Sequence, residues 1–398
     1  MTRPPRPRPA GRSAQARRKL LAWFDSARRD LPWRSSQRGA DPYRVWLSEV
    51  MLQQTRVEVV VPYYRRFLER WPTLEALAGA RDEDVLAAFS GLGYYARCRN
   101  LLAAARATLA RHGGLPASLE ALRALPGFGP YTAGAVASIA FAIPAPALDG
   151  NATRVLSRLF GVELEAGPVR SRALEGLARS LLPRGRPGDL NQSLMELGAT
   201  VCRPRAPECR RCPVEDLCAA RRTGRVDEIP PRRRRARRAR LTLALARVER
   251  RGRVLLERRP ARGLFAGLWA LPGAEVAAGE DPRAALGRAL RGRLGSASRV
   301  GEEMAVVSRV LTHRDLVLRV FRCHIPGDPC RGGDPGLRWA GPGEVGSLGV
   351  ATAMRRALEA SGGGGEPPSE AARKPGRARP ESRLTRGQKA LTSRGPSV

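Results

Sequence analysis

The segment Leu125-Pro-Gly-Phe-Gly-Pro-Tyr-Thr-Ala-Gly134 decides how this chain folds. It lies between a helical run ending at Leu125 and the apolar run AGAVASIAF beginning at Ala133, so it joins two helices. Gly127 and Gly129, one residue apart, allow a tight turn whose backbone N–H groups face outward at the next helix's N-terminus. Such a turn suits a phosphate, because the first N–H groups of a helix have no internal partner and carry partial positive charge. A GxG turn alone describes an ordinary helix–helix connection equally well. Asp149, twenty residues beyond Gly129 in LDGNATRVL, adds weight, although by itself it reads as the N-cap of the helix that follows.

Outward from this turn, apolar residues recur at helical spacing from Lys19 to about Ala220, which predicts a nearly all-α block over 19–220. Asp41-Pro42, Thr73 and Ser118 each stand as an N-cap before a helical run. Residues 221–240, RRTGRVDEIPPRRRRARRAR, lack an apolar face and read as a basic linker. From Leu241 the pattern alternates on both sides of Arg251-Gly252, which predicts a hairpin. Shorter strand-like and helical runs follow, giving a mixed α+β domain over about 241–360. Residues 1–18 read as a disordered basic arm and 361–398 as a disordered basic tail.

Across 398 residues, 71 Lys and Arg face 37 Asp and Glu, a formal net charge of +34. A polyanionic partner is expected from such an excess, since neutralising phosphates releases counterions. Lysine, however, occurs only at Lys19, Lys374 and Lys389, and a skew this strong towards arginine looks like coding bias, which weakens charge as evidence. The 42% hydrophobic content excludes a wholly disordered chain. No stretch approaches the ~18 apolar residues of a membrane span, and the first twenty residues lack a secretory pattern, so a cytoplasmic, monomeric protein with no membrane partner is expected.

Cys202, Cys209, Cys212 and Cys218 form C-x6-C-x2-C-x5-C. Thiols packed this closely in a chain expected in a reducing compartment point to a metal rather than to disulfides, with zinc and a [4Fe–4S] cluster both open on spacing alone.

Together, LPGFGPYTAG, the aspartate of LDGN and the cysteine cluster resemble the helix-hairpin-helix DNA glycosylases that carry an iron–sulfur cluster. LPWR (Leu31–Arg34), DPYRVWLSEVMLQQTRV (Asp41–Val57) and GLGYYARCRNL (Gly91–Leu101) narrow the resemblance to the MutY-type adenine DNA glycosylases, over about Leu20 to Leu217. The resemblance implies an all-α helix-hairpin-helix glycosylase domain with a [4Fe–4S] loop, followed by an α+β Nudix-like domain. It favours one [4Fe–4S] cluster over zinc, and double-stranded DNA containing A:8-oxoguanine or A:G mispairs as partner.

Breaking the N-glycosidic bond of a purine needs one carboxyl to protonate the leaving base and another, ionised, to stabilise the sugar cation. By resemblance Glu49 is the general acid and Asp149 the carboxylate that stabilises the oxocarbenium ion. Flanking Trp46, Val50 and Met51 predict that Glu49 is desolvated and its pKa raised. A base within a duplex must be flipped out and the gap filled. Gln54 matches the family's intercalating residue and Tyr94 its aromatic wedge, although one of Tyr94 and Tyr95 must belong to the core. Tyr131 and Asn151 match residues that position the carboxylates and the flipped nucleotide. Related enzymes that also cut the strand place a Schiff-base lysine after the GxG turn. Tyr131 occupies that place, and the core has no lysine beyond Lys19, so release of the base by hydrolysis is expected.

GLFAGLWALPG (Gly263–Gly273) resembles the family's Nudix-like domain, but DPRAALGRALRGRLG offers no glutamates for a catalytic magnesium site. Leu311-Thr312-His313 best matches the family's short lesion-recognition loop, with Thr312 and His313 facing 8-oxoguanine; Leu311 and Arg309 depart from its pattern. Two other readings stand beside this one: an endonuclease III-like glycosylase/lyase, and a non-catalytic protein that binds DNA lesions.

Overall fold

A computed structural model describes residues 9–34, 40–231, 238–295, 297–311, 314–331 and 333–362. Up to Arg222 the described chain is helical: α1 (Pro9–Ala27), α2 (Pro42–Leu52), α3 (Val57–Arg70), α4 (Leu74–Ala78), α5 (Asp82–Ala88), α6 (Ala96–His112), α7 (Leu119–Arg123), α8 (Pro130–Ala140), α9 (Gly150–Phe160), α10 (Pro168–Leu181), α11 (Pro187–Thr200) and α12 (Ala219–Arg222). The expected caps form. Asp41 accepts from the Tyr43 N–H at 2.9 Å, Thr73 from Ala76 at 3.2 Å and Ser118 from Ala121 at 3.3 Å. Each supplies an acceptor to a helix-start N–H that has no partner within the helix.

Two apolar cores divide this block. One gathers α2 to α8, with Trp46, Tyr64, Phe67 and Phe89 among its most buried side chains. The other gathers α1 with α9, α10 and α11 and reaches the cysteine loop through Val214 and Leu217. Helix α1 corrects the disordered arm expected over 1–18 in its described part, from Pro9 onward. Ser13 and Ala16 are buried in it, and Arg12 donates to the Leu159 carbonyl at 2.9 Å. Pro9 opens its first turn, where a missing N–H costs nothing, and Ala16 and Leu20 supply the apolar stripe.

The linker expected over 221–240 is also shorter than its composition suggests. Helix α12 runs to Arg222, and Ile229 is buried with its carbonyl held by Arg158 Nε at 2.9 Å. The second domain then begins at β1 (Ala239–Arg247), followed by β2 (Glu249–Arg250), β3 (Arg253–Arg258), β4 (Trp269–Ala270), β5 (Gly273–Val276), α13 (Pro282–Leu294), β6 (Arg299–Val310), β7 (Arg314–His324), β8 (Leu337–Ala340), α14 (Pro342–Ser347) and α15 (Thr352–Gly362). One sheet has the order β5-β1-β7-β6, with β1 and β7 parallel; in the other β3 lies between β2 and β4 and also pairs with β8. The predicted hairpin is β2–β3, turned by Arg251 and Gly252 at φ 50° and 71°. Helix α13 packs on one face of the β5-β1-β7-β6 sheet.

The α2–α8 core continues into this second domain, taking in Leu268, Trp269, Val350 and Met354. At the junction Gly349 brings its backbone against Ala87, and Arg258 pairs with Glu83 at 3.1 Å. Arg99 Nη1 donates to the Ala266 carbonyl at 2.8 Å, and Ser90 Oγ to that of Val350. No helix among the described residues is long and apolar enough to cross a membrane.

Candidate active site

Where the two helical cores meet, a cavity of about 840 Å³ opens. Its walls bring together Glu49 from α2, Gly127 and Gly129 from the turn before α8, and Tyr131 from α8. Asp149 and Asn151 enter from the start of α9, and Gln54 from the loop after α2.

Glu49 is buried, with 6% of its surface exposed. Burial pushes its carboxyl up to about 7; the nearby Asp149 charge adds to this, while the Tyr131 hydroxyl and Arg34 oppose it. Tyr131 donates to Glu49 Oε2. Its own phenol is held protonated by burial and by the adjacent carboxyl, so it remains a donor throughout the working range.

Asp149 is the N-cap of α9, as its lone reading suggests, and it lines the cavity as well. Its Oδ1 accepts from the Ala152 N–H at 2.7 Å and its Oδ2 from Asn151 Nδ2 at 2.9 Å. These two contacts fix the orientation of the carboxylate at the start of α9. The site therefore sets a carboxyl that burial tends to keep protonated against one that is anchored by two N–H donors.

Of the two glycines in the turn, only Gly127 adopts a left-handed conformation, at φ 76°, and an added Cβ there would meet Asn100 Cβ at 2.7 Å. Gly129, at φ −72°, caps α8 and has open space around it. Its lack of a side chain leaves room for something outside the protein. Helix α9 approaches α11 at Gly198, where a Cβ would meet Asn151 Cβ at 2.6 Å, so the seat of Asn151 depends on that glycine.

Gln54 and Tyr94 stand on neighbouring loops, both exposed and both at positive φ, 58° and 51°. Tyr94 does not line the cavity, and Tyr95 is the buried member of the pair. Thr312 and His313 lie outside the described residues.

Several polar residues of the site carry no motif of their own. Glu196, buried on the cavity wall, accepts from Arg29 Nε at 2.6 Å and Arg34 Nη2 at 2.8 Å. Burial works against its charge, but those two arginines outweigh it and hold it below the usual carboxylate range. Arg154 Nη2 donates to Asn151 Oδ1 and to the Gly198 carbonyl, each at 2.8 Å, and its Nε to the Cys202 carbonyl at 2.8 Å. One guanidinium thus ties the start of α9 to the cysteine loop. In a sequence with 71 basic residues, nothing marks Arg29 out, and Arg34 enters only as the last residue of LPWR.

Cys202, Cys209, Cys212 and Cys218 line one further cavity, with Arg158 and Arg221 beside them. Arg158 Nη1 lies 3.4 Å from Cys202 Sγ. Burial, and after it the neighbouring sulfurs, push the Cys212 thiol up to about 12. Burial likewise raises the Cys209 and Cys218 thiols, and four sulfurs lining one small pocket are a donor set that fits an iron–sulfur site. Among the described residues no three such side chains are gathered as for a single metal ion.

A family model for the HhH-GPD superfamily of base excision DNA repair proteins matches residues 47–180, and one for the NUDIX domain matches residues 243–360. The fold and site thus define a helix-hairpin-helix base-excision glycosylase with a Nudix-like domain. Adenine DNA glycosylase of Mus musculus is 36% identical over 395 residues, covering 85% of this chain and 76% of the mouse protein. That of Rattus norvegicus is 37% identical with the same coverage, and that of Mycolicibacterium smegmatis is 41% identical over 49% of this chain and 66% of its own length. The chain belongs to the adenine DNA glycosylase family.

Proposed function

We propose that this chain excises adenine from A:8-oxoguanine pairs, and from A:G pairs secondarily, by hydrolysis that leaves an abasic site. The observation that carries this reading is the unlike pair of carboxyls in one cavity: Glu49 buried beneath the Tyr131 hydroxyl, and Asp149 held by two N–H donors. Glu49, with its raised pKa, donates a proton to the leaving base. As the glycosidic bond lengthens, positive charge develops on the sugar, and Asp149 stabilises it electrostatically. Tyr131 orients the acid, and Asn151 fixes Asp149.

Extrusion of the adenine leaves a gap that Gln54 and Tyr94 fill from their exposed loops. The open face at Gly129 and the start of α8 receive a backbone phosphate. Thr312 and His313 read the opposing 8-oxoguanine through a hydroxyl and a ring nitrogen. With Tyr131 after the turn and no lysine in the core beyond Lys19, the alternative in which a Schiff-base lysine cuts the strand lacks its nucleophile.

One [4Fe–4S] cluster, held by Cys202, Cys209, Cys212 and Cys218, would order the loop that Arg154 joins to α9. Iron analysis and visible absorption of the purified protein test this. The protein is expected to act as a monomer in the cytoplasm.

A labelled duplex with one A:8-oxoguanine pair tests the reaction. Cleavage only after alkali supports hydrolytic release; direct nicking supports a lyase, and a shift without product supports a lesion binder. Glu49→Gln is expected to abolish release while leaving DNA binding intact, and full activity in that variant would remove Glu49 from the acid's role.

A further inference from the structure

Arg97, at the start of α6, is 8% exposed and charged, and among the described residues it makes no ion pair. Its guanidinium faces carbonyls instead. Nη1 donates to Val50 O at 2.9 Å, Met51 O at 2.8 Å and Gln53 O at 2.5 Å. Nη2 donates to Thr55 Oγ1 at 3.1 Å, Leu92 O at 3.2 Å and Gly93 O at 3.1 Å. The Phe89 and Tyr94 rings lie 5.8 Å and 5.7 Å from its central carbon.

This is a costly place for a cation. The positive end of α6 repels it, and desolvation lowers its pKa to about 10. What offsets the cost is the C-terminal end of α2, whose last carbonyls have no partner within the helix, and the carbonyls of two loops. Those loops are Gln53–Thr55 and Leu92–Tyr94, and each holds a non-glycine residue at positive φ, Gln54 and Tyr94. Backbone in that region persists only where its surroundings fix it, and for both loops a shared part of those surroundings is this one side chain.

We infer that Arg97 is the positioning residue of the base-flipping step: its planar fork joins the two loops into one unit, so that Gln54 and Tyr94 meet the duplex together. The inference rests on the reading of Gln54 and Tyr94 as gap-filling residues. A lysine cannot substitute, since it has no fork to bridge two loops at once.

The test uses the full chain carrying Arg97→Lys and measures two things. The first is single-turnover adenine release from a duplex with A:8-oxoguanine, and from one in which the target adenine faces an abasic site, where no pair must be broken. The second is the fluorescence rise of 2-aminopurine placed at the target position, in a Glu49→Gln background. Arg97→Lys is expected to slow release from the paired duplex about 100-fold, the scale of a small misplacement of a positioned group. The fluorescence rise is expected to fall with it, while release opposite the abasic site changes little. A wild-type fluorescence rise and rate in Arg97→Lys overturn the inference, as does an equal loss on both duplexes, which would place Arg97 in the chemical step. If Arg97→Lys fails to fold by circular dichroism, Thr55→Val, which removes one acceptor and leaves the charge, decides: a selective loss on the paired duplex supports the inference, and wild-type flipping overturns it. Wild-type rates in both Gln54→Ala and Tyr94→Ala would instead remove the gap-filling reading itself, whatever Arg97 does.

Discussion

Glu49 shows how one side chain sets both a rate and a stability. Its carboxyl loses a proton near 4.5 in an unfolded chain and near 7 in the fold, because burial disfavours the charge. Between those values the folded protein holds the extra proton, so raising the pH through that window costs stability, up to about 3 kcal/mol once both states are ionised. Glu49→Gln removes that cost. Its melting temperature is expected to exceed that of the wild type at pH 8 and to match it at pH 4. The wild-type rate of base release, which needs the protonated acid, is expected to fall above about pH 7. The burial of Glu49 was legible from its apolar neighbours Trp46, Val50 and Met51, and its role from the resemblance alone. Its hydrogen bond to Tyr131 was not, because that contact depends on where α2 and α8 cross.

Among elements, α9 joins the cavity to the cysteine loop. It starts at Asp149, is held against α11 through Gly198, and reaches the cysteine loop through Arg154. Arg154→Leu removes donors to the Cys202 and Gly198 carbonyls and to Asn151. We expect a loss of about 2 kcal/mol or more in thermal stability, since half-buried acceptors are left without partners. A lower release rate should accompany it as Asn151 loosens from Asp149, and denaturation and single-turnover assays read the two effects. The helices themselves were legible where caps and apolar spacing agree, as at Asp41, Thr73, Ser118 and Asp149. The first half of α1 was missed because its Pro- and Arg-rich start reads as solvated chain, while the small Ser13 and Ala16 are its buried residues there.

At the scale of the whole molecule, the two domains share a core, which their different sequence patterns did not announce. A change of periodicity from helical to alternating marks a domain boundary but says nothing about whether the two faces meet. Here the loop bearing Tyr94 lies at the junction, with Ser90 bonded to Val350 and Arg99 to Ala266. Arg99→Ala breaks the second bond without touching the cavity. It is expected to weaken domain docking by about 1 kcal/mol. Activity on A:8-oxoguanine should fall more than activity on A:G, because the proposed reading of 8-oxoguanine by Thr312 and His313 draws on the second domain. Competition between the two duplexes in one reaction measures that ratio, and an unchanged ratio would mean that the contact is passive.

The order in which the chain is made adds a last consequence of the way α1 is placed. Ala16 and Leu20 pack with residues from Ala152 to Leu217, so α1 leaves a ribosome long before its partners in the catalytic block exist. The α2–α8 region, by contrast, finds many of its contacts among near neighbours and can condense early. The catalytic cavity, whose Asp149 wall belongs to the late half, comes together only once the cysteine segment has been synthesised, so a truncated nascent chain holds its acid before it holds the carboxylate opposite.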